Sequence, residues 1–469
     1  MKRINLLVII FFIFGMISEL YPQANFSTSL HATRKGKIHW YNKVENGGVG
    51  GFEVLTNVPI NQLGCVECHD ATDANGNQYP ANYTPGCVDC HATNSTGWPV
   101  TQNDCLGCHS REKTIINMQL PDVHRTRGFT CLTCHKKGEL HGDDGVAYNS
   151  MFDPGAIQTD CSNSGCHAGF THPNPGVDPH GGKLHCTSCH AQTNLACYSC
   201  HFESQVQTHL KRPYKQITGF IFLVNRTKDN KVHPATFQAI TYEGKAGVAF
   251  GPSVAHTIVK TGARTCTDCH ANFGGQIPAI QDFNADGILK FATWNAADST
   301  LSWHQGIVPL PANYQTALKM DYLTYNGNVS DPVQPSKNWS VVKDVADLFQ
   351  ILYCTPLTKQ QMAKIGMDTT LVSVEPINNQ LPSSFVLEQN YPNPFNPNTT
   401  IRYSIPKSSY VELKIYDGLG NIVQTLVSEN LSAGNYEVQF NGANLSSGVY
   451  YYQIKAGEFT ATKKLVLMK

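Results

Sequence analysis

His185-Cys186-Thr187-Ser188-Cys189-His190-Ala191-Gln192-Thr193-Asn194-Leu195-Ala196-Cys197-Tyr198-Ser199-Cys200-His201 holds one short pattern twice: two cysteines two residues apart, with histidine directly after the second. Two thiols a short loop apart can add to the two vinyl groups of one haem, and the next imidazole then faces the iron. Each copy supplies anchor and proximal ligand together. Outward from this stretch the pattern recurs as Cys65-Cys68-His69, Cys87-Cys90-His91, Cys105-Cys108-His109, Cys131-Cys134-His135 and Cys266-Cys269-His270. An eighth copy is stretched, with four residues between Cys161 and Cys166 before His167.

Zinc ribbons and disulfides also use paired cysteines, but neither requires histidine after every second one. With 19 histidines in 469 residues, eight such coincidences have a chance on the order of 10⁻¹¹, so the pairs read as attachment sites for eight covalent c-type haems. The motifs use sixteen of the 17 cysteines. Cys354 is left over, and as a small apolar side chain it is expected to be buried.

A second axial ligand is available for every iron. Outside the motifs lie His39, His124, His141, His172, His180, His185, His209, His233 and His256, with His31 and His304 ranked lower because they are farthest from the motifs. Bis-histidine iron has no open position, which suits an electron carrier. No spare histidine lies between His39 and His124, where three haems attach, so those haems draw distal ligands from elsewhere in the chain. The haem segment is therefore expected to be one interlocked unit.

Eight sites between Cys65 and His270 amount to roughly one haem every 26 residues, too dense for a core made of side chains alone; short motif-bearing helices, long loops and haem-on-haem packing are expected. Haems on the adjacent motifs of the opening stretch are expected to touch. Gly219 to Val224 and Pro234 to Tyr242 read as strands, a small β insertion in an otherwise irregular and helical cytochrome core. Asp282-Phe283-Asn284-Ala285-Asp286-Gly287 opens like a calcium loop but has Thr293 where the last acidic ligand belongs, so it reads as a polar turn.

The ends of the chain differ in character. Lys2 and Arg3 precede an apolar run from Leu6 to Ile17, shorter than the ~20 residues that span a bilayer, so residues 1–24 read as a signal peptide. The cytochrome segment then covers 25–355 and a linker 356–384. In 385–469, Val411, Leu413 and Ile415 alternate with Glu412, Lys414 and Tyr416, as in an antiparallel β-sandwich. Equal numbers of acidic and basic residues, 35 of each, give no basic surface for nucleic acid.

Two resemblances follow from these residues. Asn390-Tyr391-Pro392-Asn393-Pro394-Phe395, Leu413-Lys414-Ile415-Tyr416-Asp417, Ser446-Ser447-Gly448-Val449-Tyr450 and the closing Lys463-Lys464-Leu465-Val466-Leu467 resemble the type IX secretion C-terminal sorting domain. That implies passage across the outer membrane by the type IX machinery, ending in release or surface attachment. The motif-bearing portion resembles octahaem c-type cytochromes, some of which use four-residue spacings. This implies electron transfer at or beyond the cell surface, with other cytochromes or an extracellular acceptor as partners, or a homo-oligomeric haem filament. The alternative is an octahaem oxidoreductase that converts a small nitrogen or sulfur compound at one open haem. Some nitrite-reducing relatives mark that haem with Cys-x-x-Cys-Lys, which is missing here. A structural or adhesive surface protein is the third class.

Overall fold

A computed structural model describes residues 25–43, 50–63, 86–91, 99–162, 165–167, 178–253, 256–332, 337–372, 375–376, 384–431, 433–443 and 445–468. The signal peptide, the Cys65-Cys68-His69 motif and His172 lie outside them. The chain divides into two compact units. One is built from residues up to Cys269 with Phe291–Val308 and Met320–Thr355; the other from His270–Lys290, Pro309–Lys319 and Pro356 onward. Among the described residues no helix is long and apolar enough to cross a membrane.

The first unit is organised by a seven-stranded sheet. Strands β1 (Asn194–His201), β2 (Pro213–Arg226), β3 (Lys231–Tyr242) and β4 (Lys245–Pro252) are its centre. β1 pairs antiparallel with β2 and parallel with β3, while β3 pairs antiparallel with both β2 and β4. Leu348–Ile351 extends the sheet beside β4, and Gly306–Pro309 and Cys354–Thr355 add to β2. Phe220, Ile221, Phe222 and Val224 are all 0% exposed, so β2 is covered on both faces and reads as a continuous apolar run. Phe222 meets Phe291 at 4.9 Å and Phe250 at 5.2 Å between ring centres. Such edge and tilted contacts add about 0.5–1.5 kcal/mol each beyond the area they bury.

The β insertion is thus larger than the sequence suggests, and the unit has a side-chain core of its own. The shortfall is physical: strands covered on both faces lose the alternation that marks a strand, and edge strands of two to four residues carry no period. The helical part is as expected, with short helices such as Gln102–Cys108, Ser110–Asn117 and Lys137–His141 preceding the sheet. Cys354 is buried, and burial raises its thiol pKa.

In the second unit, the segment read as a linker holds a helix, Lys359–Ile365, capped by Thr358, and buries Leu357, Met362 and Met367. A two-turn helix is too short for its period to show in sequence. Asp282 to Asp286 forms the end of a helix, Pro278–Asp286, which Gly287 closes at φ 83°, so the segment read as a polar turn is helical. The tail is all β, in two four-stranded sheets. Val411, Leu413 and Ile415 from one sheet and Ile401, Tyr403 and Phe440 from the other share one buried core.

Candidate functional site

Several motifs form because the residues around them cap a helical turn. In Thr265-Cys266-Thr267-Asp268-Cys269 the Asp268 carboxylate accepts from the Thr265 backbone N–H at 2.7 Å and its hydroxyl at 2.8 Å. Thr101 and Asp104 do the same at 2.6 and 2.8 Å, and the Gly86 N–H donates to Asp89 at 2.5 Å. This is the capping-box arrangement, in which the residue three on satisfies a backbone donor at the helix start. It holds Cys266–Cys269, Cys87–Asp89 and Gln102–Cys108 as single turns or short helices. Residues three apart share a helical face, so the two thiols can meet one macrocycle.

The histidines that follow are oriented from behind. His135 Nδ1 lies 2.6 Å from the Glu139 carboxylate, which raises the His135 pKa. His190 Nδ1–H donates to the Val259 carbonyl at 2.9 Å and His270 Nδ1–H to that of Lys364 at 2.8 Å. Occupying Nδ1 leaves Nε2 as the nitrogen that would hold an iron, the usual support of a metal-bound imidazole. The chemistry of this donor set fits haem c. Among the described residues no three His, Cys, Asp or Glu side chains converge to hold a bare metal ion.

Neighbouring motifs lie side by side. The thiols of Cys105 and Cys131 stand close enough to influence one another's titration, as do those of Cys161 and Cys186. Cys90 lies close enough to Cys105, Cys134 to Cys166 and Cys189 to Cys266 for their charges to interact. Taken together, these contacts follow sequence order from the motif at Cys87 to the one at Cys266, passing over Cys197.

That motif is the exception. Cys197, Cys200 and His201 lie in β1, 8%, 4% and 4% exposed. Cys200 packs with Tyr41, Phe52 and Phe202, while His201 Nδ1 sits 3.0 Å from Glu203 and 3.1 Å from the Thr324 hydroxyl. In this arrangement the motif does not fit a haem: the thiols are enclosed by side chains, and the backbone between them is a strand broken by Ser199 in the left-handed region at φ 45°, not a helical turn. The expected helix is absent because Tyr198 and Ser199, both 0% exposed, belong to the sheet core.

Four motif histidines each face a histidine from outside the motifs. Ring centres are 6.1 Å apart for His91 with His141, 6.1 Å for His109 with His31, 6.5 Å for His135 with His256 and 6.4 Å for His167 with His124. His31, ranked low from its position in the sequence, is among them. Carboxylates stand behind these rings: Glu112 is 3.8 Å from His109 Nδ1 and 3.7 Å from His256 Nδ1, and Asp122 is 3.8 Å from His124 Nδ1. Sequence reading missed them, although His109 with Glu112 and His135 with Glu139 have the spacing of one helical face.

Other candidates are placed differently. His185 stacks on His233 at 4.1 Å, and the buried His233 has no hydrogen-bond partner at either ring nitrogen. Burial, then His185, pushes His233 down to about 2. His39 packs on Tyr353 at 5.5 Å, His180 Nδ1 lies 3.6 Å from Asp178, and His209 caps the helix Phe202–Thr208.

Comparison with known proteins adds two family matches. Residues 98–140 match the doubled CXXCH motif and residues 389–468 the secretion system C-terminal sorting domain. No curated protein matches the chain. Among solved structures it is similar to PorZ, described as an essential bacterial surface component of the type-IX secretion system of Porphyromonas gingivalis. That match has 22% identity over 18% of this chain and 11% of that chain, with a TM-score of 0.14. The doubled motif spans Cys105–His109 and Cys131–His135, two motifs that lie side by side, and supports covalently bound haem c. The sorting tail marks an exported protein, at the cell surface or secreted.

Proposed function

We propose that this chain is an exported multihaem c-type cytochrome, with up to eight haems, that passes electrons at or beyond the cell surface. The observation that carries the reading is the doubled CXXCH match over residues 98–140, set in a file of motifs that follow one another in space. Haem c supplies a one-electron iron couple. The protein's part is to hold the sites side by side, to orient each proximal imidazole through its Nδ1 partner, and to fix them on capped turns. The haem count is decided at β1. Eight haems require β1 to give up its packing around Cys197 and Cys200; seven leave that motif to the sheet.

The redox partners are other cytochromes or an extracellular acceptor, and the type IX machinery delivers the chain. Protein-film voltammetry separates carrier from enzyme. Overlapping one-electron waves, unchanged by hydroxylamine, nitrite or tetrathionate, are expected. A catalytic current with any of these would overturn the electron-carrier reading in favour of an oxidoreductase with an open haem.

A further inference from the structure

The four mixed histidine pairs share a separation that leaves room for one metal between the rings. The fifth pair, His185 with His233, has its ring centres at 4.1 Å, too close to hold one. A metal–imidazole bond is about 2 Å and the ring centre lies roughly 1.1 Å behind the bonding nitrogen, so two rings on opposite sides of one metal have centres about 6 Å apart. The four pairs stand at 6.1, 6.1, 6.4 and 6.5 Å. Each joins one motif histidine to one from outside the motifs, which is the composition of a proximal and a distal ligand. In three of the four, a carboxylate lies behind an Nδ1: Glu112 at His109, Glu139 and Glu112 at the two rings of His135 and His256, and Asp122 at His124. A carboxylate beside Nδ1 leaves Nε2 as the nitrogen available to a metal.

We infer that His141, His31, His256 and His124 are the distal axial ligands of the irons whose proximal ligands are His91, His109, His135 and His167, in that order. The assignment rests on the haem reading above and adds which residue closes which iron. Two distal ligands come from earlier in the chain than their motifs and two from later. His256 lies beyond β4 and His31 in the helix Leu30–Thr33, so ligation ties the segment before the sheet to both its flanks. Glu112 stands behind His109 and His256 together and so links two neighbouring sites.

The test uses the full haem-loaded chain. His31→Gly is expected to convert one haem from low-spin to high-spin, seen as a new high-spin signal in electron paramagnetic resonance and a charge-transfer band near the red end of the visible spectrum. Added imidazole should restore the low-spin form, which shows that the variant has folded. Combining H31G with C105A and C108A should abolish the high-spin signal, because the iron concerned is then missing. His256→Gly should behave alike, with its signal abolished by C131A and C134A. An unchanged spectrum in H31G, or a high-spin signal that survives loss of the Cys105–His109 site, would overturn the assignment. A wild-type protein without haem would instead overturn the reading on which it rests.

Discussion

At the scale of single residues, the chemistry is set by what stands behind each imidazole. Glu139 accepts from the backbone N–H of Gln158 at 2.9 Å and Thr159 at 3.2 Å while its other oxygen meets His135 Nδ1 at 2.6 Å. A carboxylate there makes the ring a better donor and favours ferric iron. Glu139→Gln should therefore raise the potential of one haem by tens of millivolts with haem content unchanged, as read by spectroelectrochemical titration. Loss of that haem, or no shift, would count against the role given to Glu139. The motif cysteines and histidines are legible in the sequence because the chemistry of attachment fixes their spacing. His124, His141 and His256 stood among the distal candidates there, but spacing cannot pair any of them with an iron, since a histidine anywhere in the chain can reach one. Distance along the chain ranked His31 low, yet folding sets it opposite His109.

At the scale of elements, the capped turn is the unit that repeats. Hydrogen bonds from the Thr265 backbone and side chain hold the Asp268 carboxyl below its usual range. A lowered folded pKa means that this contribution is present above the ordinary carboxylate range and is lost as pH falls through the lowered value. Asp268→Ala should destabilise the turn by roughly 0.5–1 kcal/mol at neutral pH, and by less in acid, measured by limited proteolysis across the Cys266 region. The box was present in the sequence as Thr-Cys-Thr-Asp-Cys but is masked by the stronger haem pattern that overlies it. The sheet was only half legible. β2 and β3 showed as strands, whereas β1 was hidden because the same residues, Cys197 to His201, spell the motif. A helix before the sheet, Lys35–Tyr41, packs on β4 where Gly251 leaves room: a Cβ there would sit 2.3 Å from the Trp40 ring. Gly251→Val should cost about 1–3 kcal/mol through overpacking, seen as a lower Tm with the same haem spectrum.

At the scale of the whole molecule, two kinds of sequence specify two kinds of structure. The tail alternates cleanly because each of its sheets has one face in the core, with Val411, Leu413 and Ile415 all 0% exposed, and its reading held from sequence to structure and to family match. Deleting residues 389–468 should leave the haem-to-protein ratio unchanged while the protein stays inside the outer membrane, as followed by haem staining of fractionated cells. Surface arrival without the tail would contradict the export route. The remainder of the chain is specified by short motifs whose partners lie far apart, so its connectivity emerges only in three dimensions. The most direct test of the central claim is an electron paramagnetic resonance spectrum of the oxidised full chain, with haem counted by pyridine haemochrome. The account predicts several covalent haems per chain and low-spin iron throughout. A chain without covalent haem, or one dominated by high-spin iron, would contradict it.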